Sequence, residues 1–166
     1  MLFFATANYI IIGFWGLFSL VNAHPLDYAK PKLSDYEFFR EPISKQISID
    51  SILPYRISTP LFTDYAFKSR FIVLPVGGRI TYVNEDIFDF PVGTIFIKTF
   101  YYPSDFRVSE ANWNVIETRL LVHTPEGWTG YPYIWNNEQT DAYLEIAGGR
   151  QNVSWIDKKG ISQSVH

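Results

Sequence analysis

From Pro60 onward the chain is a series of short apolar runs cut by glycine and proline, the pattern of strands rather than helices. Residues 70–74 (RFIVL) predict a strand, ended by Pro75 and turned at Gly77-Gly78, and the alternating residues 79–83 (RITYV) can pair back as a hairpin. Residues 87–90 lead through Pro91-Val92-Gly93 into residues 94–102 (TIFIKTFYY), the strongest β segment. Alternation puts Ile95, Ile97, Thr99 and Tyr101 on one face of it and Phe96, Lys98, Phe100 and Tyr102 on the other. Pro103 closes this strand, and residues 104–114 read as a polar loop. Residues 115–124 (VIETRLLVHT) predict a second long strand, with Ile116, Thr118, Leu120 and Val122 opposite Glu117, Arg119, Leu121 and His123. Residues 128–136, 142–147 and 151–156 complete the set, and residues 157–160 look like one last turn.

The stretch ahead of Pro60 behaves differently. Residues 1–23 carry no charged side chain, and residues 9–21 (YIIIGFWGLFSLV) are a continuous apolar run followed by Val21-Asn22-Ala23. That is the pattern of a signal peptide cleaved between Ala23 and His24. An uncleaved anchor helix is the alternative, because residues 1–21 are about long enough to cross a bilayer. Both readings place the rest outside the cytoplasm, whether periplasmic, secreted or tethered. Residues 24–59 hold Pro25, Pro31, Pro42 and Pro54, too closely spaced for a long helix, and read as an irregular arm laid over the sheet. Within it, residues 33–39 predict one helical turn with Ser34 as cap and Glu37 as its capping-box partner. The expected architecture is all-β: an antiparallel β-sandwich or distorted barrel over residues 60–166, with an irregular N-terminal arm and a signal peptide or anchor helix before it.

Composition sharpens this picture. Aromatic residues make up 18% of the chain and charged residues 19%, a balance that favours pleated, half-buried surfaces. The net charge of −3 offers no overall field for nucleic acid. With no cysteine, a disulfide framework, a thiolate metal site and covalent haem attachment are all excluded in this chain.

Two groups of residues are candidate sites. Lys98, Glu117 and Arg119 project from the polar faces of the two longest strands. If these strands are neighbours, they form a carboxylate between cations that can orient an anion, or a plain ion-pair ladder. Trp128, Tyr131, Tyr133 and Trp135, beside Asn136, Asn137 and Gln139, have the flat rings and amides of a carbohydrate surface. There Glu138 and Asp141 also offer an acid and a base. The competing reading buries these rings in the core. His24, first after cleavage, would need His123 or His166 to hold copper, and is read instead as a flexible end. Asn152-Val153-Ser154 is a formal glycosylation sequon. No nucleophile elbow, phosphate loop or zinc-protease motif occurs, so no catalytic, cofactor-binding or metal-ligating residue is assigned.

Whole phrases of the chain carry a resemblance. Thr59-Pro60-Leu61-Phe62, Asp64-Tyr65-Ala66, Pro91-Val92-Gly93-Thr94, Lys98-Thr99-Phe100, Tyr102-Pro103, Glu117-Thr118-Arg119-Leu120, Gly127-Trp128, Trp135-Asn136, Gln139-Thr140, Ala147-Gly148-Gly149 and Trp155 match. On these residues the chain resembles the β-rich N-terminal half of an uncharacterised family of secreted c-type cytochrome-like proteins. The resemblance implies haem c only for full-length relatives, in a Cys-x-x-Cys-His segment before which this chain is expected to be truncated. It implies a non-catalytic module, with a haem-c domain or another extracytoplasmic protein as partner. No nucleic acid is expected, and membrane contact only through an uncleaved N-terminus. The alternative is a secreted carbohydrate-binding or carbohydrate-active domain.

Overall fold

The computed structural model describes residues 28–59, 61–108 and 112–165. The apolar run at 9–21, its cleavage site, His24 and His166 lie outside the described residues. Among those described, the chain is all-β, with two short 3-10 turns and no α-helix. Strands β1 (Ile52–Pro54), β2 (Phe67–Val73), β3 (Ile95–Pro103), β4 (Trp113–Thr124), β5 (Gly127–Trp135) and β6 (Ala142–Leu144) form one antiparallel sheet in sequence order. Strands β7 (Val153–Ile156) and β8 (Ser162–Val165) form a separate antiparallel hairpin. The turns of the larger sheet run from two residues to the long segment 74–94 between β2 and β3. The tightest lies between β4 and β5, where Gly127 at φ 122° takes a conformation that a side chain resists.

One face of the sheet is the core. Register sets Phe71, Ile97, Leu120 and Tyr131 side by side across β2 to β5. The arm closes over them, placing Leu33, Phe38, Phe39 and Ile43 in the same buried cluster as Tyr133 and Trp135. Phe39 packs edge-on to Phe71 with ring centres 5.2 Å apart, and the Tyr36 and Tyr133 hydroxyls share a 2.9 Å hydrogen bond. Polar groups on this face are satisfied internally. The Thr99 and Thr118 hydroxyls pair at 2.9 Å, and Trp135 Nε1 donates to Thr118 Oγ1 at 2.9 Å.

Several sequence expectations change in detail. The arm is not wholly outside the sheet, because residues 52–54 pair with β2 as its edge strand. The capping box does not form. Leu33 precedes the 3-10 turn Ser34–Tyr36, while Ser34 Oγ donates to Asp141 Oδ2 at 2.6 Å and so ties the arm to β6. Residues 79–83 make only a bridge between Thr81 and Asp89, since this exposed stretch has no buried face to hold a longer hairpin. The polar β8 (SQSV) has no apolar alternation and escapes sequence reading, although the turn at 157–160 serves to join it to β7.

The largest change is at Ile116. Phe100 pairs with Glu117 but Tyr101 pairs with Val115, so Ile116 is an extra residue in a bulge. Val115 takes the place expected for Ile116 in the main core, and Ile116 packs instead with Tyr102, Val153 and Trp155.

Candidate functional site

The face opposite the arm carries three rows running across β2, β3, β4 and β5. The first is Lys68, Phe100, Glu117 and Ile134. The second is Arg70, Lys98, Arg119 and Pro132, and the third is Ile72, Phe96, Leu121 and Gly130. The structure therefore brings Lys98, Glu117 and Arg119 together on one face and adds two cations, Lys68 and Arg70.

Four cations facing one carboxylate are an unbalanced set. Arg119 spends its charge on Glu117, donating from Nε to Oε1 at 2.6 Å and from Nη2 to Oε2 at 2.9 Å. Lys68 Nζ donates to the Leu61 carbonyl at 2.7 Å. Among the described residues, Arg70 and Lys98 have no carboxylate within ion-pairing distance. Partial burial, with Arg70, Arg119 and Lys68 close by, lowers the Lys98 pKa from its ordinary 10.5, and Glu117 offsets only part of this. Like charges opposite each other on neighbouring strands weaken a sheet, so this row stands in the fold at a cost. Phe100 steadies it: Lys98 Nζ lies 4.7 Å from its ring centre and the Arg119 guanidinium carbon 5.0 Å.

Beside the cations, Phe96, Leu121 and Gly130 of the third row form the floor of an open trough of about 730 Å³, walled by Tyr55, Pro132 and Ile146 and edged by Lys98, Glu117 and Arg119. This volume lies within the range of small-molecule sites, roughly 300–1,000 Å³. Gly130 leaves the trough floor bare, since a Cβ built there meets nothing within 4 Å. Glu117 and Arg119 also wall a smaller pocket of about 280 Å³ with Asp64 and Arg150. The two ends of the face are roofed. At one end the β7–β8 hairpin stacks Trp155 on Tyr102 at 4.7 Å. At the other, Phe90 packs on Phe96 and Trp128, and His123 Nδ1 is 2.8 Å from the Phe90 carbonyl oxygen.

The aromatic segment 128–135 does not make one surface. Tyr131, Tyr133 and Trp135 are 1%, 0% and 2% exposed in the core under the arm, while Trp128, 42% exposed, is on the opposite face stacked on His123 at 4.5 Å. Strand alternation separates them: residues two apart share a face, and Trp128 is three residues from Tyr131. Asp141 has a structural role, accepting from Ser34 N, Ser34 Oγ and Ala142 N. Glu138 is exposed at the preceding turn. Among the described residues no group of three or more histidines and carboxylates is placed to hold a metal ion.

Sequence reasoning missed Arg70 and Gly130. Arg70 heads the predicted strand at 70–74, but its place beside Lys98 depends on a register spanning the long 74–94 connection. Gly130 interrupts an aromatic strand, which is itself a signal for open space or close approach. No family model, no curated protein and no solved structure matches this chain.

Proposed function

We propose that this chain is an extracytoplasmic, non-catalytic binding module whose open sheet face docks an anionic partner group. The partner is the haem-c segment of the cytochrome-like proteins that the chain resembles. The observation that carries this reading is the Arg70–Lys98 pair, without an ion-pair partner among the described residues, with Lys98 lining an apolar trough, in a chain whose net charge is −3. Haem presents two carboxylates at the edge of a flat apolar ring, and cations bordering rings and aliphatic side chains complement both parts. The haem stays with the partner, because covalent attachment needs cysteines that this chain lacks. A role without catalysis is supported by Glu117, whose two carboxylate oxygens are both held by Arg119. The apolar run 9–21, followed by Val21-Asn22-Ala23, supports the extracytoplasmic address, cleaved or anchored.

The test is a titration of the full chain with a haem-c peptide, the proteolytic fragment of a c-type cytochrome that keeps haem, both thioether cysteines and the axial histidine. Binding is expected to shift the haem absorbance, to weaken as salt rises and to be lost in the Arg70→Gln/Lys98→Gln double variant. Equal binding by the variant, or none by the wild-type chain, ends this reading. The carbohydrate alternative has no comparable support, since three of its four rings are interior.

A further inference from the structure

The trough has a shape and polarity of its own, and both are more restrictive than a general anionic docking face. It crosses β3, β4 and β5 at right angles to the strands, with Phe96, Leu121 and the bare Gly130 as successive floor positions. Tyr55 lines one end and Ile146 the other. Strands lie about 4.8 Å apart, so a floor reaching from the Tyr55 side to Gly130 is roughly 15 Å long. Its lining is apolar or glycine apart from Lys98, Arg119 and Glu117 along one edge, and Arg70 stands next to Lys98 in register just outside it.

Charge along that edge is uneven. Towards β5, Arg119 is neutralised by Glu117 and is followed in its row by the uncharged Pro132. Towards β2, Lys98 and Arg70 are neighbours in register with no carboxylate partner among the described residues. A ligand complementary to the whole trough therefore has one anionic end at Lys98, on the side of its neighbour Arg70, and an extended apolar body running towards Gly130 and Ile146.

We infer that the trough is a binding site for a free alkyl carboxylate, with the carboxylate held between Arg70 and Lys98 and the chain laid across Phe96, Leu121 and Gly130. This rests on the open face being the binding face, and it names a ligand class for one part of that face. Gly130 is the residue that makes it testable. Its Cβ position is empty and its backbone is not in the left-handed region, so Gly130→Leu adds a side chain that fills the trough without disturbing the core.

The experiment is calorimetric titration of the full chain with monomeric dodecanoate, with dodecyltrimethylammonium, acetate and phosphatidylglycerol vesicles as separate arms. Dodecanoate is expected to bind at least about tenfold more tightly than the cationic amphiphile or acetate. Gly130→Leu, with unchanged thermal unfolding, and Arg70→Gln/Lys98→Gln are each expected to weaken it by about tenfold or more. Equal binding of the two amphiphiles, undiminished binding by Gly130→Leu, or binding only to vesicles overturns the inference. If the haem-c peptide binds through Arg70 and Lys98 while dodecanoate does not, the alkyl site falls and the docking face stands. If neither ligand binds, both fall.

Discussion

Lys98 sits in register between Arg70 and Arg119, so its ammonium is the form that the folded chain disfavours. Partial burial is the first cause of the lowered pKa and the flanking cations add to it. The unfolded chain holds this proton to higher pH, so stability rises as pH climbs through the window just below 10.5, and the penalty is fully present below that window. The Lys98 side-chain NMR signal is expected to titrate below that of an ordinary lysine and to move back up when an anion is bound. A position at or above the ordinary value contradicts the electrostatics. On the buried face Thr118 is the corresponding residue, since its hydroxyl meets both the Thr99 hydroxyl and the Trp135 indole N–H. Thr118→Val keeps the shape but leaves the Trp135 donor unpaired, with an expected loss of about 1–3 kcal/mol in urea unfolding. Alternation put Lys98 on one strand face and Glu117 and Arg119 on another, and the pairing of β3 with β4 brings the two faces together. The hydrogen bonds of Thr118 were not legible, because a threonine in a strand looks the same whether or not it has buried partners.

At the scale of elements, the three strands β3, β4 and β5 follow from hydrophobic pattern, since each has a buried face that selects its register. The arm is the element that decides which face is core. Its leucine at position 33 is 1% exposed, and its backbone N–H donates to the Ala142 carbonyl at 2.9 Å. Leu33→Ala is expected to cost about 2–5 kcal/mol, read by thermal or urea unfolding, as for truncation in a closed core. A loss near zero would mean that the arm lies loosely on the sheet. The closely spaced prolines of residues 24–59 made an arm laid over the sheet readable, and Leu33, Phe38, Phe39 and Ile43 are the side chains it buries there. The sequence did not show that the arm covers Tyr131, Tyr133 and Trp135, which are then interior and not a sugar platform. The bulge at Ile116 was illegible for a different reason. A single inserted residue leaves no mark on composition, yet moves an apolar side chain to the other face. Polar β8 had no pattern to read, and its pairing depends on β7.

For the whole molecule, the central claim is a division of labour between two sides of one sheet: the arm side holds the fold together, and the cation side stays open to a ligand. Adjacent residues of β4 report the two sides separately, because Leu120 is 1% exposed and Leu121 is 42% exposed. The chain has no cysteine, so a single introduced thiol reports its own site without background. The most direct measurement is the iodoacetamide labelling rate of Leu120→Cys and Leu121→Cys, with and without the haem-c peptide. The account predicts that the thiol at 121 reacts rapidly and is protected by the peptide, while the thiol at 120 reacts only through global unfolding. Similar rates at the two positions, or no protection at 121, would contradict it.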